Sequence, residues 1–296
     1  MLHHLVNQDL LAAGLDPAEV EQVVQTALDE DLRYGPDVTS AATAPAGAVA
    51  VAAVVARQPG VLAGLPVARA VLDRAGLPPE SVTPVGADGD RIGPGTEVLR
   101  IQAPLRELLG AERTLLNFLT HLSGVASATR AWADAMAGTG CVVRDTRKTL
   151  PGLRVLEKYA VRCGGGQNHR MGLGDAALIK DNHVVAAGSI TKAIEAVRAA
   201  APGLPLEVEC DTLDQVGEAL DAGAGLILLD NMALADLRAA VALTAGYPSV
   251  KLEASGGLRL EHARDVAATG VDYVAVGALT HSAPALDLGL DLSPLA

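Results

Sequence analysis

Between Arg144 and Lys180 the chain carries eight lysines or arginines against three acids, a local balance of about +5 in a protein whose net charge is −12. About −17 is therefore left for the rest of the chain. Such a stretch, RDTRKTLPGLRVLEKYAVRCGGGQNHRMGLGDAALIK, is suited to holding something small and strongly negative, bearing phosphates or carboxylates. Arg147, His169 and Arg170 supply donors there. Gly164, Gly165, Gly166, Gly172 and Gly174 would let backbone approach a ligand.

Six polar residues recur at or just after predicted strand ends: Lys148, Lys180, Glu209, Asp230, Glu253 and Ser255. Carboxyl ends of parallel strands form one rim where ligands bind. The chain has 18 Arg and only five Lys, yet two of those lysines take rim positions, which suits a compact point charge better than a planar fork. Ser255-Gly256-Gly257 falls between a strand and a predicted helix, and Gly277-Ala278 follows the last strand. Both suit a phosphate held by backbone N–H groups. Glu209 and Asp230 would repel an anion unless a cation sits between, and Mg²⁺ accepts one or two carboxylates plus substrate oxygens. A salt bridge to Lys180 or Arg147 is the alternative. No His or Cys spacing suits zinc, and no nucleophile elbow or Ser/His/Asp arrangement is evident. Arg113, in GAERTLLNFLTHLSG, has Leu116, Leu119 and Thr120 on roughly its helical face and reads by itself as a snorkelling arginine beside apolar surface.

The elements that must position these residues divide in two. The second half repeats a strand–helix unit, with strands expected at 141–146, 176–180, 206–210, 226–230, 250–254 and 273–277 and helices at 191–201, 213–222, 234–245 and 260–268. From Glu209 to Asp230, Glu253 and Gly277 the steps are 21, 23 and 24 residues, the length of one βα unit. Six strands rather than eight predict an open six-stranded parallel α/β barrel. The first part reads as an α+β domain: a helix at 16–32 capped by Asp16 with Pro17 first, strands at 48–57, 81–86 and 97–103, and helices at 66–75, 105–121 and 124–137. The expected division is an N-terminal sandwich-like domain at 1–122, a catalytic barrel at 123–282 and a tail at 283–296 that packs back on the first domain.

Composition sets limits. The net acidity argues against general nucleic-acid or anionic-membrane binding, and 2% aromatics offer no stacking platform for bases. Three cysteines without CxxC spacing, no basic-then-apolar N-terminus and no long apolar run predict a soluble cytoplasmic protein.

RDTRKT, GGGQNHR, LIKDNH, EVEC, LLDN and EASGG, in this order and spacing and with ERTLLNFL upstream, resemble the quinolinate phosphoribosyltransferase family over about residues 16–285. The resemblance implies an α/β N-terminal domain with an open barrel. It also implies phosphoribosyl transfer from phosphoribosyl pyrophosphate to quinolinate, with decarboxylation and Mg²⁺, in a homodimer or higher oligomer. On that likeness Arg113 would reach a quinolinate carboxylate in the neighbouring subunit. Thr146, Arg147, Lys148, His169, Arg170 and Lys180 would surround quinolinate and the phosphates. Glu209 and Asp230 would face the ribose and Mg²⁺, and Ser255, Gly256, Gly257, Gly277 and Ala278 would hold the 5′-phosphate. Lys148, Lys180, Glu209 and Asp230 would carry the catalysis. Three other readings compete: a Schiff-base aldolase-type barrel using Lys180 or Lys148, a molybdenum-transport-associated paralogue, and a binding module without turnover. The first predicts a borohydride-trappable adduct.

Overall fold

The computed structural model describes residues 1–293. By internal contacts the chain forms two compact units: residues 1–130, 149–165 and 280 onward, and residues 131–148 with 166–279. This differs from the contiguous division expected from the sequence. Residues 294–296 of the expected tail lie outside the described residues.

In the first unit Asp16 caps the helix Pro17–Leu32, its Oδ1 accepting the Ala18 N–H at 2.9 Å, with Pro17 in the first turn. β1 (Val49–Ala56), β2 (Gly60–Val61), β3 (Val82–Pro84), β4 (Arg91–Ile92) and β5 (Glu97–Pro104) follow. β1 pairs antiparallel with β5, β5 with β3 and β2 with β4. The strand Leu288–Leu292, in a tail where the sequence showed no period, pairs antiparallel with the other edge of β1.

The two helices expected at 105–121 and 124–137 are one, Leu105–Ala135. Gly124 does not break it: a Cβ there would sit 2.2 Å from the Pro284 carbonyl oxygen, so this glycine admits a close backbone approach. Ser123 and Ser127 lend their Oγ atoms to the N–H groups of Ala63 and Val61 at 3.0 and 2.8 Å. The helix thus presents a small, hydroxyl-bearing face to the chain beside it.

The helix Arg154–Cys163 also belongs to this unit. Tyr159 Oη donates to Asp88, and fully buried Glu157 accepts from Leu150 N at 3.1 Å and meets His121 Nε2 at 2.9 Å. Gly164 packs so tightly on the long helix that a Cβ would lie 2.5 Å from both Ala126 O and Thr129 Cβ, and one on Gly165 would lie 2.9 Å from Arg130 Nη2. These two glycines serve packing against a helix and not, as the sequence suggested, close approach to a ligand.

The second unit is a parallel sheet of β6 (Val142–Arg144), β7 (Ala177–Ile179), β8 (Leu206–Cys210), β9 (Leu226–Asp230), β10 (Lys251–Ser255) and β11 (Tyr273–Ala275), in the order β6-β11-β10-β9-β8-β7. With β6 and β7 at the two ends this is the open six-stranded α/β barrel. Helices Ile190–Ala200, Leu213–Asp221 and Leu234–Leu243 connect the later strands. The expected helix at 260–268 is a 3₁₀ turn, Leu260–His262, followed by the short helix Ala263–Ala267. Because every strand is parallel, all carboxyl ends lie on one side. The register sets Ser255 beside Asp230, and Leu228 beside both Glu209 and Glu253. Among the described residues no helix is long and apolar enough to cross a membrane.

Candidate active site

Lys148 follows β6, Lys180 follows β7, Asp230 and Ser255 end β9 and β10, and Gly277 stands two residues past β11. Glu209 is the penultimate residue of β8. Lys148 and Gly277 are in close contact, since a Cβ on Gly277 would lie 2.7 Å from Lys148 Cδ and 3.4 Å from Thr146 Oγ1. The Thr146 Oγ1 also accepts the Lys148 N–H at 2.9 Å. One side of the mouth thus joins Thr146, Lys148 and the last strand's loop.

Across the sheet Lys180 Nζ lies 2.5 Å from Glu209 Oε2, the salt bridge that the sequence left as an alternative to metal binding. Lys180 also opens the helix Asp181–Ala187, where its N–H donates to His183 Nδ1 at 2.9 Å. Asp230 accepts from Asn231 Nδ2 at 2.6 Å. Asn231 holds φ +54°, the left-handed region that non-glycine residues seldom occupy, and its N–H donates to Ser255 O at 3.0 Å. Its Oδ1 fills the space where Gly256 would carry a Cβ, 2.4 Å away. Gly256 and Gly257 both have positive φ, +87° and +59°. Strain at Asn231 and two left-handed glycines together shape the turn after β10. The regular helix expected to follow that turn is reduced to a 3₁₀ turn, so any phosphate there is met by the turn's own N–H groups.

The cationic stretch is divided between the two units. Arg154, Lys158 and Arg162 lie on the first unit's helix, and Lys158 is fully buried. Arg144 is taken up inside the barrel: Nη1 meets Glu253 Oε2 at 2.7 Å, and the guanidinium stands 4.7 Å over the Tyr273 ring. Four cations are left to the strand ends and their loops: Arg147, Lys148, Arg170 and Lys180. Arg170 donates from Nη1 to Ala176 O at 2.9 Å. Burial, and then the nearby Arg147 charge, hold its pKa below the usual arginine range. Two guanidiniums held close enough to disfavour one another are arranged for an anion.

Glu253 is not a rim residue as expected. It is completely buried in the middle of β10, two positions before Ser255 and so on the same face. Glu207, absent from the sequence-derived set, is its counterpart on β8, two positions before Glu209. Both approach His169: Nε2 lies 2.7 Å from Glu207 Oε2 and 3.4 Å from Glu253 Oε1. Burial alone would lower the His169 pKa, but the hydrogen bond that Nε2 donates to Glu207 and the nearby Glu253 carboxylate outweigh it and push it up to about 9. The Arg170 N–H, 2.7 Å from Nδ1, opposes them by favouring the neutral ring. Burial in turn raises the Glu207 pKa. Asp145, also fully buried, accepts the His169 N–H at 2.9 Å and Asn168 Nδ2 at 2.5 Å. The sequence signal for Glu207 is an acid in the middle of an apolar strand, in phase with Glu209.

His169, Glu207 and Glu253 bring ligand-capable atoms within 4.8 Å of one another. With Arg144 already on Glu253 this is an ion-pair network rather than a cation cage. The donor set of Glu209 and Asp230 is all oxygen, and Lys180 and the Asn231 amide each engage one oxygen of these carboxylates. That fits a hard cation taking one or two protein carboxylates and the rest of its shell from substrate and water.

An α/β barrel enzyme for a strongly anionic substrate is the class that this fold and these strand ends define. Residues 37–123 match the quinolinate phosphoribosyl transferase N-terminal domain, and residues 125–291 match the C-terminal domain of the same family. The chain is 56% identical over 271 residues to the nicotinate-nucleotide pyrophosphorylase [carboxylating] of Mycobacterium leprae, covering 91% of this chain and 95% of that one. The human protein of the same name is 40% identical over 286 residues, covering 95% and 94%. The crystal structure of NadC from Streptococcus pyogenes superposes with a TM-score of 0.87 at 41% identity, covering 95% of this chain and 99% of that one. The chain belongs to the quinolinate phosphoribosyltransferase family.

Proposed function

We propose that this protein transfers the 5-phosphoribosyl group of phosphoribosyl pyrophosphate to the ring nitrogen of quinolinate and releases the 2-carboxylate, giving nicotinate mononucleotide, pyrophosphate and CO₂ for NAD biosynthesis. The observation that carries it is the Arg147–Arg170 pair, like charges kept together beside a lysine-bearing strand end. Quinolinate brings two carboxylates to such a pair.

In the reaction the pyridine nitrogen lone pair forms the bond to the anomeric carbon as the bond to pyrophosphate breaks. The ribose passes through an oxocarbenium-like state, which the Glu209 and Asp230 carboxylates stabilise electrostatically. Lys148 and Lys180 offset negative charge on the phosphates and carboxylates gathered there. Ser255, Gly256, Gly257, Gly277 and Ala278 take the 5′-phosphate through the turns after β10 and β11. The pyridinium then receives the electron pair of the breaking C2–carboxylate bond, and C2 takes a proton from water. Glu209 and Asp230 would hold Mg²⁺, which supplies charge neutralisation on the leaving pyrophosphate.

Arg113 is exposed, with exposed Gly110 and Asn117 on the same helical stripe. Its exposure supports a role towards a neighbouring subunit in a homodimer or larger assembly. A cytoplasmic location agrees with three free cysteines. Purified protein is expected to release pyrophosphate only when quinolinate, phosphoribosyl pyrophosphate and Mg²⁺ are all present. Equal turnover of nicotinate would defeat the assignment, and a borohydride-trapped adduct would point to the Schiff-base barrel instead.

A further inference from the structure

The buried floor of the barrel holds more charge than stability asks for. Glu207 and Glu253 are 3% and 0% exposed, and burying two carboxylates is costly where apolar side chains would pack as well. We propose that Glu207 and Glu253 are positioning residues: a buried clamp that fixes His169, and through it Arg170, so that the barrel mouth is set for the substrate's carboxylates. This rests on the functional reading above and adds to it residues that do not touch substrate.

The geometry runs without a gap. Residues 167–170 are grasped from three strands. From β6 and the residue after it, Gln167 N donates to Val143 O at 2.9 Å, Asp145 takes the His169 N–H and the Asn168 amide, and Arg144 Nη2 approaches Asn168 O at 3.4 Å. From β8, Glu207 takes His169 Nε2 at 2.7 Å. From β10, Glu253 reaches the same nitrogen at 3.4 Å while Arg144 holds its other oxygen at 2.7 Å. The ring so fixed accepts the Arg170 N–H at 2.7 Å, which sets where the Arg170 side chain begins. Its far end is tied to Ala176 O.

The cluster's electrostatics serve the same end. Glu207 Oε1 and Glu253 Oε1 are buried without a hydrogen-bond partner, although Glu253 Oε1 retains its 3.4 Å ion-pair contact with His169. Burial and then the Arg147 charge disfavour the charged Arg170 guanidinium, while Asp175 and, after it, Glu207 favour it. The clamp lets two like charges wait together for a dianion.

The test is Glu207→Gln, which keeps the shape and an acceptor for His169 but removes the charge. The expected result is a quinolinate KM raised about tenfold, with the phosphoribosyl pyrophosphate KM within twofold and kcat within threefold. A folded variant with an unchanged quinolinate KM, or with both KM values raised alike, overturns the clamp. Should Glu207→Gln fail to fold, Asn168→Ala loosens the same segment by removing its amide contact with Asp145 while leaving Glu207, Glu253 and His169 unchanged. It is expected to show the same quinolinate-selective loss, and normal quinolinate binding by it overturns the proposal. Amide exchange of residues 167–170 in the ligand-free protein, read by mass spectrometry, tests the clamp whatever the substrate proves to be. It is expected to quicken in whichever of the two variants folds, and unchanged exchange overturns the clamp. Wild-type protein that ignores quinolinate defeats the functional reading alone.

Discussion

Gly277 and Lys148 touch so closely that a single added methyl group on the glycine would stand 2.7 Å from Lys148 Cδ. A strand-end glycine and a lysine 129 positions earlier in the chain form one surface. The contact falls on a flexible side chain and Gly277 does not need positive φ, so alanine there strains the lysine and not the backbone. Gly277→Ala is expected to keep the melting temperature, since glycine-to-alanine changes at compatible positions alter stability by only about 1 kcal/mol. Turnover is expected to fall roughly tenfold as Lys148 is displaced, a loss worth about 1.4 kcal/mol of transition-state stabilisation. Wild-type kinetics in this variant would remove Lys148 from the reaction centre.

Gly256 is the contrasting case. Its Cβ would meet both the side chain and the backbone nitrogen of Asn231, at 2.4 and 2.8 Å, from a left-handed conformation. Gly256→Ala is therefore expected to cost about 2–4 kcal/mol in stability, combining backbone strain with overpacking. Chemical denaturation of the two alanine variants side by side checks the difference: Gly256→Ala shifts the midpoint and Gly277→Ala does not.

His169 links stability to pH. Glu207 and Glu253 push its pKa up to about 9 from the ordinary 6.5, against burial and against the Arg170 N–H, which Nδ1 accepts only in the neutral ring. A raised histidine pKa stabilises the folded state fully below 6.5, and the contribution is lost as pH rises through 9. The stability advantage of wild type over His169→Gln is accordingly expected to shrink across that window by an amount on the order of 3 kcal/mol. A difference flat with pH would show that the Arg170 N–H keeps the ring neutral against its two carboxylates.

Arg113 offers a test of assembly. Arg113→Ala and Lys148→Ala are each expected to raise the quinolinate requirement sharply. Refolding the two together is expected to restore part of the activity, because a mixed dimer then carries one complete set of residues. No recovery in mixed dimers shown to form by mass spectrometry would place Arg113's action within its own chain.

Strand spacing made the barrel legible. Apolar segments recurring every 21 to 24 residues need only local chain geometry to be read, and that the carboxyl ends of β6 to β11 share one side follows from the strands being parallel. Local signals equally sufficed for the Asp16 cap and for Lys148, Lys180, Glu209 and Asp230 as strand-end residues. Gly124 misled because a glycine inside a helix has the same one-letter signature whether it ends the helix or admits a neighbour, and the neighbour here, Pro284, is 160 residues away.

Charge in sequence reports number but not direction. The sequence determined that cations collect between residues 144 and 180, and the family that this order of motifs belongs to. Only the tertiary structure decided that Arg144 and Glu253 neutralise one another in the interior and that Lys158 is buried in the other unit. It also decided that Arg147 and Arg170 stand together, and that Glu207 holds His169 from beneath. The physical reason is that a charged side chain's cost and use depend on what faces it across space, and in this barrel Arg144 faces Glu253 from a strand 109 residues away in the chain.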